Sequence, residues 1–398
     1  MLEAAATAFA SILVLGTGFG KQFLFSFPHT SHILLYISRN IHAGANANPS
    51  AAFGGYAYHK FYKWIVLNKI EGAFKPGDPA LELAAMGKQV PLTPTTNPNN
   101  REQNEEHWIV RDEQEKIDMI VSGKDRGHYH LLIGEKGTGK SSMLLDAMHK
   151  INGEGCAMFE AHADLEIFRV RLGKSLDYEY HEDYIGGYFS ERGPRESTAL
   201  LDIERAFNKL EKVALKRRKK QGRPMILIIN AIHLLRDDED GRDLLELLQQ
   251  RAEQWAASNL VTMIFNSDDY WVYERLKTLA TRMEVTTIND LPKNQAKTAL
   301  QMYRTKYFSE VPSPKILDEV YDRVGGRLAF LNRVAKSKDM LETCDQIIDT
   351  ERRWFLNQCW VLGAEMDDDV MDQQKYAVSF VILAGRNLLI SSSLPQWF

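Results

Sequence analysis

Through the middle of the chain, short apolar runs alternate with stretches whose apolar residues recur every three or four positions. Tyr129–Ile133, Cys156–Ala161, Met225–Ile229, Leu260–Phe265 and Met283–Ile288 are too short for helices and have the length of strands. Met225–Ile229 is continuously apolar and follows Pro224, the pattern of a parallel strand covered on both faces. Helical period appears around Ile117, Ile120 and Val121, from Lys140 to Met148, from Leu200 to Lys220, and after Asp240, which is placed as the N-cap of GRDLLELLQQRAEQWAA. This alternation predicts an α/β fold with a parallel sheet flanked by helices. After Leu291-Pro292 the strand signal stops. Asn294–Tyr307, Ser313–Val324 and Met340–Leu362 then predict an all-α lid, with Trp354, Phe355, Cys359 and Trp360 in its core. The expected divisions are 1–70 as anchor and juxtamembrane segment, 71–106 as linker, 107–291 as the sheet domain, 292–363 as the lid and 364–398 as an acidic tail.

The anchor rests on charge pattern. Ala4–Gly20 is uncharged but, at 17 residues, sits at the lower limit for spanning a bilayer, and the only early charge, Glu3, does not suit a secretory signal. A second apolar stretch after Lys21 is broken by Pro28, His29 and His32. Reverse translation offers one coherent account: Gly20-Lys21-Gln22 can encode a donor-like GTAAG, and Ala45–Ala51 can encode CTAAC followed by TCAG, so 21–50 reads as a non-native, translated-intron insertion. Without it, Ala4–Gly20 joins Ala51–Tyr58 into about 25 uncharged residues, a single transmembrane helix, with Tyr56, Tyr58, Phe61, Tyr62 and Trp64 as an aromatic belt and Lys60, Lys63 and Lys69 on its cytosolic or matrix side. The mitochondrial inner membrane is the favoured location. The codons available to Ala377–Phe380 place 378–398 under the same reading. The alternative is a genuine hydrophobic hairpin and a disordered tail. From Glu71 to His107 a Pro-, Gly- and Asn-rich text reads as a tether with one short helix at Ala80–Met86.

Composition narrows the field. The 398 residues, 44% hydrophobic and 26% charged, describe a globular chain, and a net charge of −4 gives no overall basic field, which makes nucleic acid an unfavoured partner. Cys156, Cys344 and Cys359 have no metal-ligand spacing and read as reduced, buried thiols. The run Lys216–Lys220 ends a predicted helix, where cations suit the dipole and solvent.

The most specific chemistry follows the first strand. Gly134-Glu135-Lys136-Gly137-Thr138-Gly139-Lys140-Ser141 is GxxxxGK[ST] between a strand and a helix that begins Lys140-Ser141-Ser142. Glycines let such a loop wrap phosphate oxygens, backbone N–H groups and the helix N-terminus supply positive potential, Lys140 reaches the β/γ-phosphates, and the Ser141 hydroxyl ligates Mg²⁺. Lys136 reads as a solvated side chain. The expected ligand is ATP with Mg²⁺; no base-specific NKxD motif argues for guanine.

Where the apolar strand Met225–Ile229 ends, P-loop ATPases of the additional-strand type carry an Asp that holds Mg²⁺ through water, then a Glu that activates the attacking water. Here those positions are Asn230 and Ala231. Asn230 can accept a hydrogen bond from magnesium-bound water without adding charge, and Ala231 cannot act as a base. Loss of base assistance costs about 10²–10⁴ in rate. His233 is a candidate for orienting water, Asp237–Asp240 for a replacement acid or a helix start, and Asn266 for a sensor of the γ-phosphate. Arg275 and Arg282 are arginine-finger candidates, and Arg327 or Arg333 of VGGRLAFL a phosphate contact from the lid.

Together, Ile109-Val110-Arg111-Asp112-Glu113, the phosphate loop, ILIINAIH, the strand ending at Asn266 and VGGRLAFL resemble the AAA-type ATPases of origin-recognition complexes and archaea, over about Trp108–Lys336. The resemblance implies that Ile109 and Val110 enclose adenine and that the lid glycines mark a second sensor. The chain departs from it at Asn230-Ala231 and at Leu328, where related lids have Pro or Arg. The whole also looks like membrane-anchored fungal members of the group. Three functions follow as expectations: a membrane-tethered ATP switch acting on an unidentified protein partner, with slow or absent hydrolysis; an oligomeric ATPase, possible as a homo-oligomer, that remodels protein or membrane complexes; and, more weakly, a nucleic-acid-associated ATPase.

Overall fold

The computed structural model describes residues 49–88, 111–180 and 198–359. Two helices come first, α1 (Pro49–Ala73) and α2 (Pro79–Lys88), followed by α3 (Asp112–Val121). The α/β body is β1 (Tyr129–Ile133), α4 (Lys140–Lys150), β2 (Cys156–Glu160), α5 (Leu165–Ser175), α6 (Ala199–Gln221), β3 (Met225–Asn230), α7 (Glu239–Ser258), β4 (Val261–Ser267), α8 (Trp271–Leu276) and β5 (Met283–Thr287). The lid is α9 (Lys293–Phe308), α10 (Pro314–Val324), α11 (Leu328–Lys336) and α12 (Met340–Cys359).

The sheet order is β2-β3-β4-β1-β5, all parallel, so β4 is inserted between the phosphate-loop strand and the strand ending at Asn230. This is a P-loop NTPase sheet flanked by helices. β1, β3 and β4 are buried at every residue, because helices cover both faces. One layer packs Ile117, Ile120, Met143, Leu144 and Met148 against Leu132, Ile226, Ile228 and Ile264. On the other, Phe207 meets Trp255 edge-on at 5.4 Å and Tyr129 meets Phe265 at 6.1 Å. The lid has its own core of Leu291, Leu300, Leu317, Val320, Leu331, Val334 and Cys344. Cys156 and Cys344 are buried free thiols, and burial pushes Cys156 up to about 12. Trp354, expected in the core, is 59% exposed: it lies beyond the last turn of α12 that contributes to the lid core, Ile347.

The expected tether starts differently. Val66, Ile70 and Phe74 are buried, and α2 contains the short helix read at Ala80–Met86. The Phe74 carbonyl accepts from the Gly155 N–H at 3.0 Å and from Arg217 Nη1 at 2.9 Å, and Gly77 N–H donates to Asn152 O at 3.0 Å. The basic run explains the docking. Lys216 and Lys220 both pair with Glu71, Arg217 is buried, and Arg218 bonds the carbonyls of Ser258 and Asn259 at the end of α7. Most of this cluster therefore makes tertiary contacts instead of ending a helix in solvent. Phe74→Ala is expected to cost about 3–5 kcal/mol, the usual range for emptying a buried aromatic site, measurable as a lower urea midpoint.

Ala51–Tyr58 lies within α1, while Ala4–Gly20, 21–48 and 378–398 lie outside the described residues. Among the described residues no helix is long and apolar enough to cross a membrane.

Candidate functional site: a phosphate loop beneath a helical lid

The loop from Gly134 to Gly139 leaves β1 and enters α4, whose first residue is Lys140. Gly137 (φ +85°) and Gly139 (φ +97°) have left-handed backbones that only glycine adopts without strain. Lys140 is buried. Its ammonium donates to Gly134 O at 2.7 Å and Glu135 O at 2.9 Å, and lies 2.8 Å from Asp268 Oδ1. Thr138 is buried, whereas Glu135, Lys136 and Ser142 are exposed. Arg111, just before α3, is a buried brace: it donates to Thr138 O at 2.7 Å and to Asn289 O, tying the loop to the end of β5. Ile109 and Val110 lie outside the described residues.

Two strand-end amides and a hydroxyl from the first turn of α4 meet below the loop. Ser141 Oγ donates to Asn230 Oδ1 at 3.0 Å, and Asn266 Nδ2 donates to Ser141 Oγ at 3.0 Å and to Asn230 Oδ1 at 2.5 Å. The insertion of β4 between β1 and β3 places Asn266 here. Asn266 Oδ1 is buried without a hydrogen-bond partner. A hydroxyl, an amide carbonyl and an unsatisfied acceptor suit a hydrated Mg²⁺ bound with nucleotide phosphates, contributing neutral oxygens and no anionic charge.

His233 is on the short 3₁₀ turn Ile232–Leu234 that follows β3. Its Nδ1 accepts the Asp268 N–H at 3.0 Å, which places the neutral ring's proton on Nε2, 3.7 Å from Asp268 Oδ2. Asp268 thus joins Lys140 to His233. It is the principal site residue that sequence reading passed over; its only signal was an acidic residue two positions beyond Asn266 at a strand tip. The acidic run expected as a replacement acid is occupied elsewhere. Asp237 pairs with Arg242 and Arg275, which lowers its pKa, and Asp238 rather than Asp240 caps α7 by accepting the Gly241 N–H at 2.9 Å. Asp238 wins because Gly241 N is one of the helix's unpaired first-turn donors. Arg275 is thereby engaged in an ion pair, and Arg282 and Arg333 are exposed.

The lid rests on the loop. Ala329 N–H donates to Gly137 O at 3.1 Å; a Cβ on Gly137 would lie 2.8 Å from the Ala329 methyl, and one on Gly139 2.8 Å from Leu328 Cδ1. Leu328, the residue that departs from related lids, therefore covers the loop. Arg327 pairs with Asp290 at 3.3 Å and stands 3.7 Å from Glu135. Gly326 is needed at the hinge, where a Cβ would be 1.9 Å from Leu291 O. A cavity of about 740 Å³ opens beside this contact, lined by Arg111, Gly139, Ser142, Asn294, Tyr303 and Asn332 among others, within the size range of small-molecule sites.

The additional-strand sheet, the phosphate loop and the helical lid define a P-loop NTPase. Residues 107–263 match the AAA ATPase domain. Comparison with curated proteins finds no match. Among solved structures, the chain is similar to the Walker-type ATPase of Pyrococcus abyssi at 12% identity and TM-score 0.48, covering 75% of this chain and 88% of that one. It is also similar to Cdc6p from Pyrobaculum aerophilum, at 13% and 0.37, covering 65% of each chain. A replication initiator DnaA bound to AMPPCP and single-stranded DNA matches at 12% and 0.37, covering 69% of this chain and 81% of that one.

Proposed function

We propose that the chain is a membrane-tethered ATP switch with weak or absent hydrolysis, in which nucleotide at the phosphate loop sets the position of the helical lid for a protein partner. The observation that carries this reading is the seating of Leu328 and Ala329 on Gly137 and Gly139, the same glycines that wrap phosphates. Phosphate oxygens compete with the Asp268 carboxylate for Lys140, and their approach to Gly137 changes what Ala329 and Arg327 touch. Mg²⁺, bound with ATP, supplies charge neutralisation at the phosphates; Ser141, Asn230 and Asn266 would hold its hydration shell. Asn230 adds no charge there and Ala231 no base, which supports a binding role over rapid turnover. The tether is read from Ala4–Gly20 and Ala51–Tyr58, with Lys60, Lys63 and Lys69 favouring a matrix-side body on the mitochondrial inner membrane.

Saturating Mg-ATP is expected to shift the distance between spin labels at Lys219 on the sheet domain and Lys315 on the lid, both exposed in the full chain. An unchanged distance distribution with ATP bound would overturn the switch. A second reading is a working, homo-oligomeric ATPase, and Asp268 favours turnover: a carboxylate already paired with the phosphate-binding lysine and aligned with His233 is a substitute acid. That reading requires phosphate release that depends on both Lys140 and Asp268.

A further inference from the structure

At the other end of β1, remote from the phosphate loop along the strand, His130 is fully buried and neither ring nitrogen has a hydrogen-bond partner. The parallel register sets Glu284 of β5 beside it, with Oε2 3.5 Å from Nδ1. Asp125, in the turn leading into β1, places Oδ2 3.8 Å from Nε2. These separations are too long for good hydrogen bonds, so the imidazole is enclosed between two carboxylates and satisfied by neither. An unsatisfied buried polar group is costly. A cation held between the ring and the two carboxylates would give the buried nitrogen the partner it lacks.

One donor atom from each of Asp125, His130 and Glu284 lies within 4.8 Å of the others, a span that small side-chain rotations close around an ion bound at about 2.0–2.2 Å. Lys116 faces the other oxygen, Glu284 Oε1, at 3.5 Å and leaves Oε2 directed at the ring. His128 stands on the solvent side, Nδ1 3.8 Å from Asp125 Oδ1. An imidazole with two carboxylates suits zinc and its first-row neighbours better than magnesium or calcium, which take all-oxygen sets.

We propose that Asp125, His130 and Glu284 form a binding site for a divalent transition ion of the zinc class. The ion would join the 122–128 turn and the edge strand β5 to β1. β5 leads directly to Asn289, whose carbonyl receives Arg111, and to the lid hinge at Leu291, so ion occupancy steadies the edge from which the lid departs.

The test uses the full chain, stripped with a chelator and titrated with zinc chloride by calorimetry and with cobalt(II) by visible absorbance. One zinc per chain is expected, with a cobalt ligand-field band and a zinc-dependent rise in melting temperature. Glu284→Gln and Asp125→Asn should each weaken binding by at least tenfold, since loss of even an outer-sphere partner costs about 10–100-fold. His130→Asn should remove it. Glu284 is 42% exposed, so its variant is expected to fold whether or not the His130 variant does. Absence of saturable binding, or equal affinity in the parent, Glu284→Gln and Asp125→Asn, would overturn the proposal, the latter by assigning the zinc to others of the chain's 11 histidines.

Discussion

Lys140→Ala is expected to weaken Mg-ATP binding by about 10²-fold or more, measured by calorimetry or with a fluorescent ATP analogue on the full chain. The lysine is buried, and its ammonium is held at the loop by two backbone carbonyls and Asp268. A phosphate chain arriving there finds a preset cation at the cost of displacing one carboxylate. Truncation removes that cation and leaves Asp268 directed at the incoming negative charge. Removing one member of a desolvated charge pair costs about 2–5 kcal/mol, which corresponds to roughly 30- to several-thousand-fold in affinity. Asp268→Asn provides the opposite control: it relieves the competition for Lys140, so affinity should hold or rise by a few-fold. An alanine variant that binds within threefold of the parent would show that the loop glycines and helix N-terminus alone hold the nucleotide.

The parts of this protein legible in its sequence are those governed by local period and by backbone geometry. The β3 strand was readable because both its faces are covered, which makes Met225–Ile229 apolar without alternation. The phosphate loop was readable because its left-handed positions require glycine. What stayed hidden depends on which distant elements meet. Asp268 looks like any acidic residue in a loop until β4 lies beside β1 and brings it to Lys140. The run Lys216–Lys220 has the composition of a solvated helix end, yet Glu71 and the Phe74 carbonyl, more than 140 residues earlier in the chain, take up three of its members. His130 shows the same limit: the strand pattern marks it as buried, but only the register with β5 reveals Glu284 at its side. The lid motif was visible through its glycines, whereas the seating of Leu328 and Ala329 on the loop follows from the tertiary close approach at Gly326.

Restoring the acidic pair, with Asn230→Asp and Ala231→Glu together, is expected to raise steady-state phosphate release by about 10²-fold, the lower end of what a positioned base contributes. The backbone is ready for both changes. Asn230 Oδ1 accepts from Ser141 and from Asn266, so an isosteric carboxylate keeps both hydrogen bonds and adds the missing charge toward Mg²⁺. Ala231 already occupies a left-handed conformation (φ 53°, ψ 43°) and is not fully buried, so a longer side chain adds little strain. The new Asp is largely desolvated and should lower stability without nucleotide, with the loss recovered on adding Mg-ATP, because binding the native state stabilises it by mass action. That pattern, destabilised alone and active when loaded, would identify a switch whose hydrolytic pair has been replaced. If the parent already releases phosphate in a Lys140-dependent way and Asp268→Asn removes that activity, the acid lies on β4's side of the site. The double variant should then gain less than tenfold, since a second carboxylate would add little to a base already in place.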